Sequence, residues 1–141
     1  MNNPIYPCLW FDGNAKAAAE FYCSVFENSK IMDDTPMVVT FEVNGYKVMG
    51  LNGGPMFKFN EAVSFVVNCK NQQEIDYYWE RLTADGGEES MCGWLKDKFG
   101  LSWQIVPDNI GKLIGHSEKG QRAMAALMKM RKLDIAALEN A

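Results

Sequence analysis

The strongest constraint on this chain is that its two halves follow the same plan. Shifted by about 55 to 57 residues, Asn14 falls on Asn71, Phe21-Tyr22 on Tyr78-Trp79, and Asn44-Gly45 on Phe99-Gly100. The identity is weak, but the order is kept: a strand, then a helix, then more strands. In the first half, Ile5 to Phe11 reads as a strand bounded by Asp12-Gly13. Asn14 is placed to cap a helix that buries Ala15, Ala18, Ala19, Tyr22, Val25 and Phe26 and ends at Asn28-Ser29. Met37 to Val43 alternates, Asn44-Gly45 offers a two-residue hairpin turn, and Tyr46 to Asn52 returns. Gly53-Gly54-Pro55 breaks that strand, and residues 55 to 60 read as a linker.

The second half repeats the order. Ala62 to Cys69 reads as a buried strand. Asn71, with Glu74 three residues on, is a capping-box-like start for a helix whose apolar face is Ile75, Tyr78, Trp79 and Leu82. After Gly86-Gly87 come strands at Met91 to Leu95 and Leu101 to Val106, joined by a turn at 96 to 100. The tail departs from the repeat. Residues 119–131 and 134–139 read as two helices, with a broad apolar face of Ala123, Met124, Leu127, Met128 and Met130 that must pack somewhere. The organisation expected is one domain over residues 1–118, with modules at about 4–54 and 61–107, and a helical extension over 119–141. Two half-covered sheets of this kind would leave their other faces free to curve around a cleft.

Composition narrows the function classes. With 141 residues, 48% hydrophobic and 23% charged, the chain is globular and large enough to bury a core without staples. A net charge of −4 gives no basic footprint for nucleic acid. No apolar run approaches the ~20 residues of a membrane span. The opening MNNPIYPCLW lacks the regions of a signal peptide, so a cytoplasmic location is expected. Cys8, Cys23, Cys69 and Cys92 form no CxxC pair, and reduced thiols are the natural reading.

The segments LWFDGNAKAAAEFYCSVFENSKI, LNGGPMFKFNEAVSFVV and CGWLKDKFGLSWQIVP closely resemble the PhnB-like family, also labelled 3-demethylubiquinone-9 3-methyltransferase-like. That family lies within the vicinal oxygen chelate superfamily, with glyoxalase I, extradiol dioxygenases and the bleomycin and fosfomycin resistance proteins. The resemblance covers nearly all of residues 4 to 131. It implies an α+β fold of paired βαβββ modules forming a curved, glyoxalase-like sheet around a cleft, and a homodimer.

It also implies where a metal would sit. Superfamily ligands are His or Glu on the first and last strands of each module. The matching positions here fall near Tyr6 or Pro7, near Val63 or Ser64, at about Met49, and at Gln104. Gln104 is the best defined, because DKFGLSWQI resembles the pattern Asp-Pro-Asp-Gly-Asn-x-x-Glu-Leu. None of these is a histidine or a carboxylate, and the single histidine, His116, lies outside both modules. A glutamine carbonyl is a weak neutral donor. The expectation is therefore no metal and no cofactor.

The ligand-binding candidates are Gln104, Ser64, Asn52, Cys92, Trp94 and Trp10. Gln104 belongs with Ser102 on the strand face opposite Leu101, Trp103 and Ile105, which should pack on the helices. Cys92 would need a neighbouring cation or base to become a reactive thiol, and no partner is evident. Asn52, Asn60 and Ser64 are polar residues at strand ends or cleft-side positions, where such residues more often serve loops and turns than ligands. Trp10, Phe11, Trp94 and Trp103 could wall a flat ligand or simply fill a core. Glu61 or Glu42 could serve as a base if buried. Two function classes remain. One is a metal-independent module binding a small apolar or aromatic molecule. The other is a glyoxalase- or dioxygenase-type enzyme acting on a small oxygen-bearing substrate. Methyl transfer is disfavoured, because Gly53-Gly54-Pro55 follows a strand but opens no helix.

Overall fold

The computed structural model describes residues 3–141 and divides the chain into two compact units that meet in sequence at Phe59 and Asn60. The first unit runs β1 (Cys8–Phe11), α1 (Ala15–Val25), β2 (Lys30–Asp34), β3 (Val38–Val43) and β4 (Tyr46–Asn52). Its sheet has the order β1-β4-β3-β2, with β1 parallel to β4 and the remaining pairs antiparallel. The second unit repeats this with β5 (Ser64–Cys69), α2 (Gln72–Thr83), β6 (Glu88–Glu89), β7 (Trp94–Lys96) and β8 (Ser102–Pro107) in the order β5-β8-β7-β6. Three short helices follow: α3 (Ile110–Leu113), α4 (Glu118–Leu127) and α5 (Ile135–Glu139). Each unit is therefore a βαβββ module with an open four-stranded sheet. Among the described residues no helix is long and apolar enough to cross a membrane.

Several boundaries differ from the sequence reading for identifiable reasons. The first strand is Cys8–Phe11, not Ile5 to Phe11; Pro7, which has no N–H to give a ladder, only accepts from the Met49 N–H at 3.0 Å. Asn14 makes no side-chain cap. The α1 terminus is capped instead by Asn52 at the end of β4, whose Oδ1 accepts from the Ala15 N–H at 2.9 Å. The helix closes at Val25 rather than at Asn28-Ser29. Asn71 does cap α2 from its own chain, accepting from the Glu74 N–H at 2.9 Å, while the Glu74 carboxylate takes the Lys70 N–H at 2.8 Å. The hairpin turn at Asn44-Gly45 is present, with φ of 51° and 85°.

Strands β2 and β6 carried no usable alternation. β2 is exposed at all but one position and interrupted by a register shift between Ile31 and Asp33, and β6 is two residues long. The strand expected at Met91 to Leu95 is Trp94–Lys96, because Cys92 and Gly93 take left-handed backbone with φ of 63° and 85°. Cys92 is thus in a turn, not on a strand. The segment 55–60, expected as a linker, is held in place: Phe57 packs edge-on to Trp10 at 4.8 Å and Phe59 to Phe11 at 5.4 Å.

The alternation in the core strands is obeyed. In the first unit Leu9, Phe11, Val39, Phe41 and Val48 are buried with Ala15, Ala18, Ala19 and Tyr22 of α1. In the second, Leu95, Leu101, Trp103 and Ile105 are buried on the side of Ile75, Trp79 and Leu82 of α2. The carboxyl-terminal helices belong to this second unit. Ala123, Leu127, Leu133 and Leu138 form one apolar cluster with Val106, which projects from the opposite face of β8. Gln72 fastens the tail to α2: its Nε2 donates to the Leu133 carbonyl at 3.0 Å, and its Oε1 accepts from the Ile135 N–H at 2.9 Å. Lys132 pairs with Asp76 at 2.8 Å, and this ammonium, then the Gln72 amide, holds the Asp76 carboxyl below its usual range. Of the apolar tail, Met124 and Met128 remain exposed.

Candidate functional site

The face of the second sheet turned away from α2 carries three of the sequence candidates as neighbours. Gln104 stands opposite Trp94 in the β7–β8 register and opposite Val66 in the β5–β8 register. Its Nε2 donates to Ser64 Oγ at 3.0 Å. Gln104 and Trp94 are half-buried, so the amide is neither sealed in a core nor fully solvated. One row along, Ser102 lies between Lys96 on β7 and Ser64 on β5. Its hydroxyl is fully buried and has no hydrogen-bond partner among the described residues. Such an orphan group costs on the order of 1–3 kcal/mol unless something satisfies it.

Ser102 lines a pocket of ≈130 Å³ with Trp94, Lys96, Glu61, Glu88 and Glu89. Lys96 pairs with Glu61 at 3.3 Å, and Glu89 accepts from the Trp79 indole N–H at 2.6 Å. A hydrogen bond from its own backbone, followed by the Lys96 ammonium, lowers the Glu61 pKa. The sequence singled out Glu61 and Trp94 and set Ser102 on the Gln104 face, but did not bring them together as a pocket. Its parts come from the start of β5 and from β6, β7 and β8, and β6 itself was not legible.

The strand carrying these residues is aimed by Asp97, also overlooked in the sequence. Asp97 is buried, and its Oδ1 accepts from the Phe99 and Leu101 N–H groups at 2.8 and 3.2 Å. Its Oδ2 accepts from the Trp103 indole N–H at 2.9 Å. One carboxylate thereby shapes the 97–100 turn and fixes Trp103 on the helix side, which turns Ser102 and Gln104 to the other face.

The remaining candidates lie elsewhere. Both ends of the Asn52 amide are engaged within the first unit, one on Ala15 and the other donating to the Pro36 carbonyl at 3.0 Å. Trp10 is also in the first unit; its indole N–H donates to the Gly54 carbonyl at 2.8 Å. A Cβ on Gly53 would lie 2.4 Å from that ring, so Gly53 is there to let the loop close over Trp10. These contacts explain the glycines of Gly53-Gly54-Pro55 without a cofactor, and no helix follows them. Cys92 belongs to the junction with the carboxyl-terminal helices: its N–H donates to the Met130 carbonyl at 2.7 Å and its Sγ is 3.9 Å from Met128 Sδ. Phe11 and Trp103 are core residues. Cys69 is buried, and burial, then Glu74 and Asp108, push its thiol up to about 12.

The donors at the superfamily's metal positions do not suit a divalent ion. Met49 offers a thioether, Gln104 an amide already bonded to Ser64, Ser64 a hydroxyl, and Pro7 only a carbonyl that accepts from Met49. Among the described residues, no three His, Cys, Asp or Glu side chains come together as a metal-binding group.

Comparison with known proteins places this architecture. No protein of curated function matches the chain. Residues 3–106 match the family described as 3-demethylubiquinone-9 3-methyltransferase, which leaves α3 to α5 outside the match. The PhnB protein from Bacillus cereus is 30% identical, with a TM-score of 0.66 over 74% of this chain and 99% of that one. A glyoxalase-related enzyme from Fulvimarina pelagi shares the fold at 19% identity and a TM-score of 0.54, over 74% of this chain and 87% of that one. The fosfomycin resistance protein FosX from Listeria monocytogenes, solved with Mn(II) and sulfate, shares it at 15% identity and a TM-score of 0.57, over 79% and 94%. The chain therefore belongs to the 3-demethylubiquinone-9 3-methyltransferase family, is PhnB-like, and shares its fold with glyoxalase-related and fosfomycin resistance proteins.

Proposed function

We propose that the protein binds a small apolar or aromatic molecule, without a metal, on the sheet face that carries Trp94, Gln104 and Ser64. The observation that carries this reading is the Gln104 amide. It is oriented by Ser64, stands beside an indole, and keeps a carbonyl oxygen with no partner among the described residues. A fixed acceptor next to an aromatic wall is the combination that small-molecule sites use to orient a mostly apolar ligand. The donor chemistry at the metal positions supports the metal-independent form. Catalysis has no comparable support, since Glu61 is engaged with Lys96. A thermal-shift screen of small aromatics, run with EDTA and again with Mn(II), Zn(II) or Ni(II), tests the reading. Ligands should raise the melting temperature equally in both. Gln104→Ala should weaken binding by roughly 0.5–1.5 kcal/mol, the worth of a neutral hydrogen bond, with the fold intact. Binding that required a metal would refute the proposal.

We also propose that the chain forms a homodimer through its sheet edges. The edges differ from those the sequence suggested, because β7 lies inside its sheet and the edge strands, each paired on one side only, are β1, β2, β5 and β6. Open edges invite pairing, and Val63 and Val66 at and near the β5 edge are 62% and 55% exposed. Light scattering at micromolar concentration should give twice 15.9 kDa; the single-chain mass would count against pairing.

A further inference from the structure

We propose that the pocket over Ser102 receives the ammonium group of a small amine, whose apolar part lies along Trp94. The inference rests on the small-molecule reading above and names the ligand's chemical class. Charge comes first. Three carboxylates, Glu61, Glu88 and Glu89, line the pocket against one ammonium, Lys96. Lys96 is already matched by Glu61 at 3.3 Å. Glu89 has one oxygen on the Trp79 indole, and Glu88, opposite Lys96 in the register, has no ion-pair partner among the described residues. With the Glu89 carboxylate turned to Trp79 on the α2 side and Lys96 matched by Glu61, Glu88 is left as the uncompensated negative charge of the pocket, which favours a cation and repels a carboxylate or phosphate.

Ser102 supplies the independent observation. Ser102 lines this pocket, and its Oγ is fully buried with no hydrogen-bond partner among the described residues, although Lys96 and Ser64 flank it on the neighbouring strands. An incoming ammonium has three N–H donors. It can give one to the Ser102 lone pair and another to the Glu88 carboxylate, meeting both needs at once. Trp94 offers its ring to the adjacent charge and to the carbon skeleton. The volume of ≈130 Å³ is room for about four waters at ~30 Å³ each, so the bound head group is small.

Calorimetric titration of the full chain at low salt with benzylamine, benzyl alcohol and benzoate tests the assignment. Benzylamine should bind about tenfold or more tightly than benzyl alcohol, benzoate should be weakest, and added salt should erode the difference. Glu88→Gln and Ser102→Ala should each cut the amine-over-alcohol preference several-fold. Ser102→Ala should leave the sheet folded, since it removes a group that has no partner to lose. Equal binding of amine and alcohol, with both weakened by Gln104→Ala, would overturn the amine assignment and leave the proposed function standing. Absence of benzylamine binding at millimolar concentration would overturn it as well. So would a Ser102→Ala protein that is more stable but keeps the full amine preference, because Ser102 would then be a passenger in the fold.

Discussion

Asp97→Ala is expected to destabilise the second unit by about 3–5 kcal/mol, the range for removing a buried charged partner and stranding what it held. Asp97 is 2% exposed, and its carboxylate accepts hydrogen bonds from the Phe99 and Leu101 backbone and from the Trp103 indole. Alanine leaves all three donors without it. The Leu101 N–H and the indole are in the interior, where water cannot easily replace the lost acceptor. For a protein whose total stability lies in the usual range of about 5–15 kcal/mol, that is a large share. Asp97→Asn should lose less, because one carbonyl oxygen remains, but its NH₂ group would face N–H donors. Urea unfolding followed by tryptophan fluorescence measures both. An alanine variant within about 1 kcal/mol of the parent would show that the turn is shaped by its local backbone preference rather than by Asp97. The effect reaches the site, because the same turn sets which face of β8 presents Ser102 and Gln104.

Leu133→Ala is expected to cost about 2–5 kcal/mol, the range for deleting a buried leucine side chain and leaving a cavity. Leu133 is fully buried among Val106, Ala123, Leu127 and Leu138. It also packs against Gly93, where an added Cβ would come within 3.1 Å of its side chain. Its carbonyl accepts from Gln72, so the residue ties the tail to α2 and, through Val106, to β8. The loss should be local before it is global. Hydrogen exchange should speed up first in α4 and α5 and in the Cys92-Gly93 turn, whose N–H groups donate to Met130 and Arg131 at 2.7 and 2.8 Å. If exchange there matched the parent and the unfolding midpoint did not move, the tail would be an appendage rather than part of the second unit's core.

The local grammar of this chain is legible in one dimension. Period-two alternation set which residues of β3 and β4 are buried and which face of β8 meets α2, because a strand's side chains must leave on opposite faces. The asparagine–glycine hairpin and the Asn71 cap acted as read, since each works through neighbours a few residues away. The repeat fixed a paired plan, and with the family resemblance it supplied the third strand of each module, which alternation alone did not reveal. What failed was decided at a distance. Asn14 looked like a cap, but Asn52, 37 residues on, holds that place because β4 ends beside the start of α1. Cys92 looked like a strand residue, but its left-handed backbone and the tail it bonds put it in a turn. Alternation could say that Gln104 faces away from the helix. It could not say that Ser64, 40 residues earlier, orients the amide, because that depends on the parallel pairing of β5 with β8. Nor could it say that Ser102 is buried without a partner, for satisfaction of a hydroxyl is a property of everything that surrounds it. The sequence by itself determined the two modules, their order and the core-facing side of the strands that alternate. Only the tertiary structure decided which polar groups meet across strands and which is left waiting, because hydrogen bonds need ångström-scale approach between residues that the chain keeps far apart.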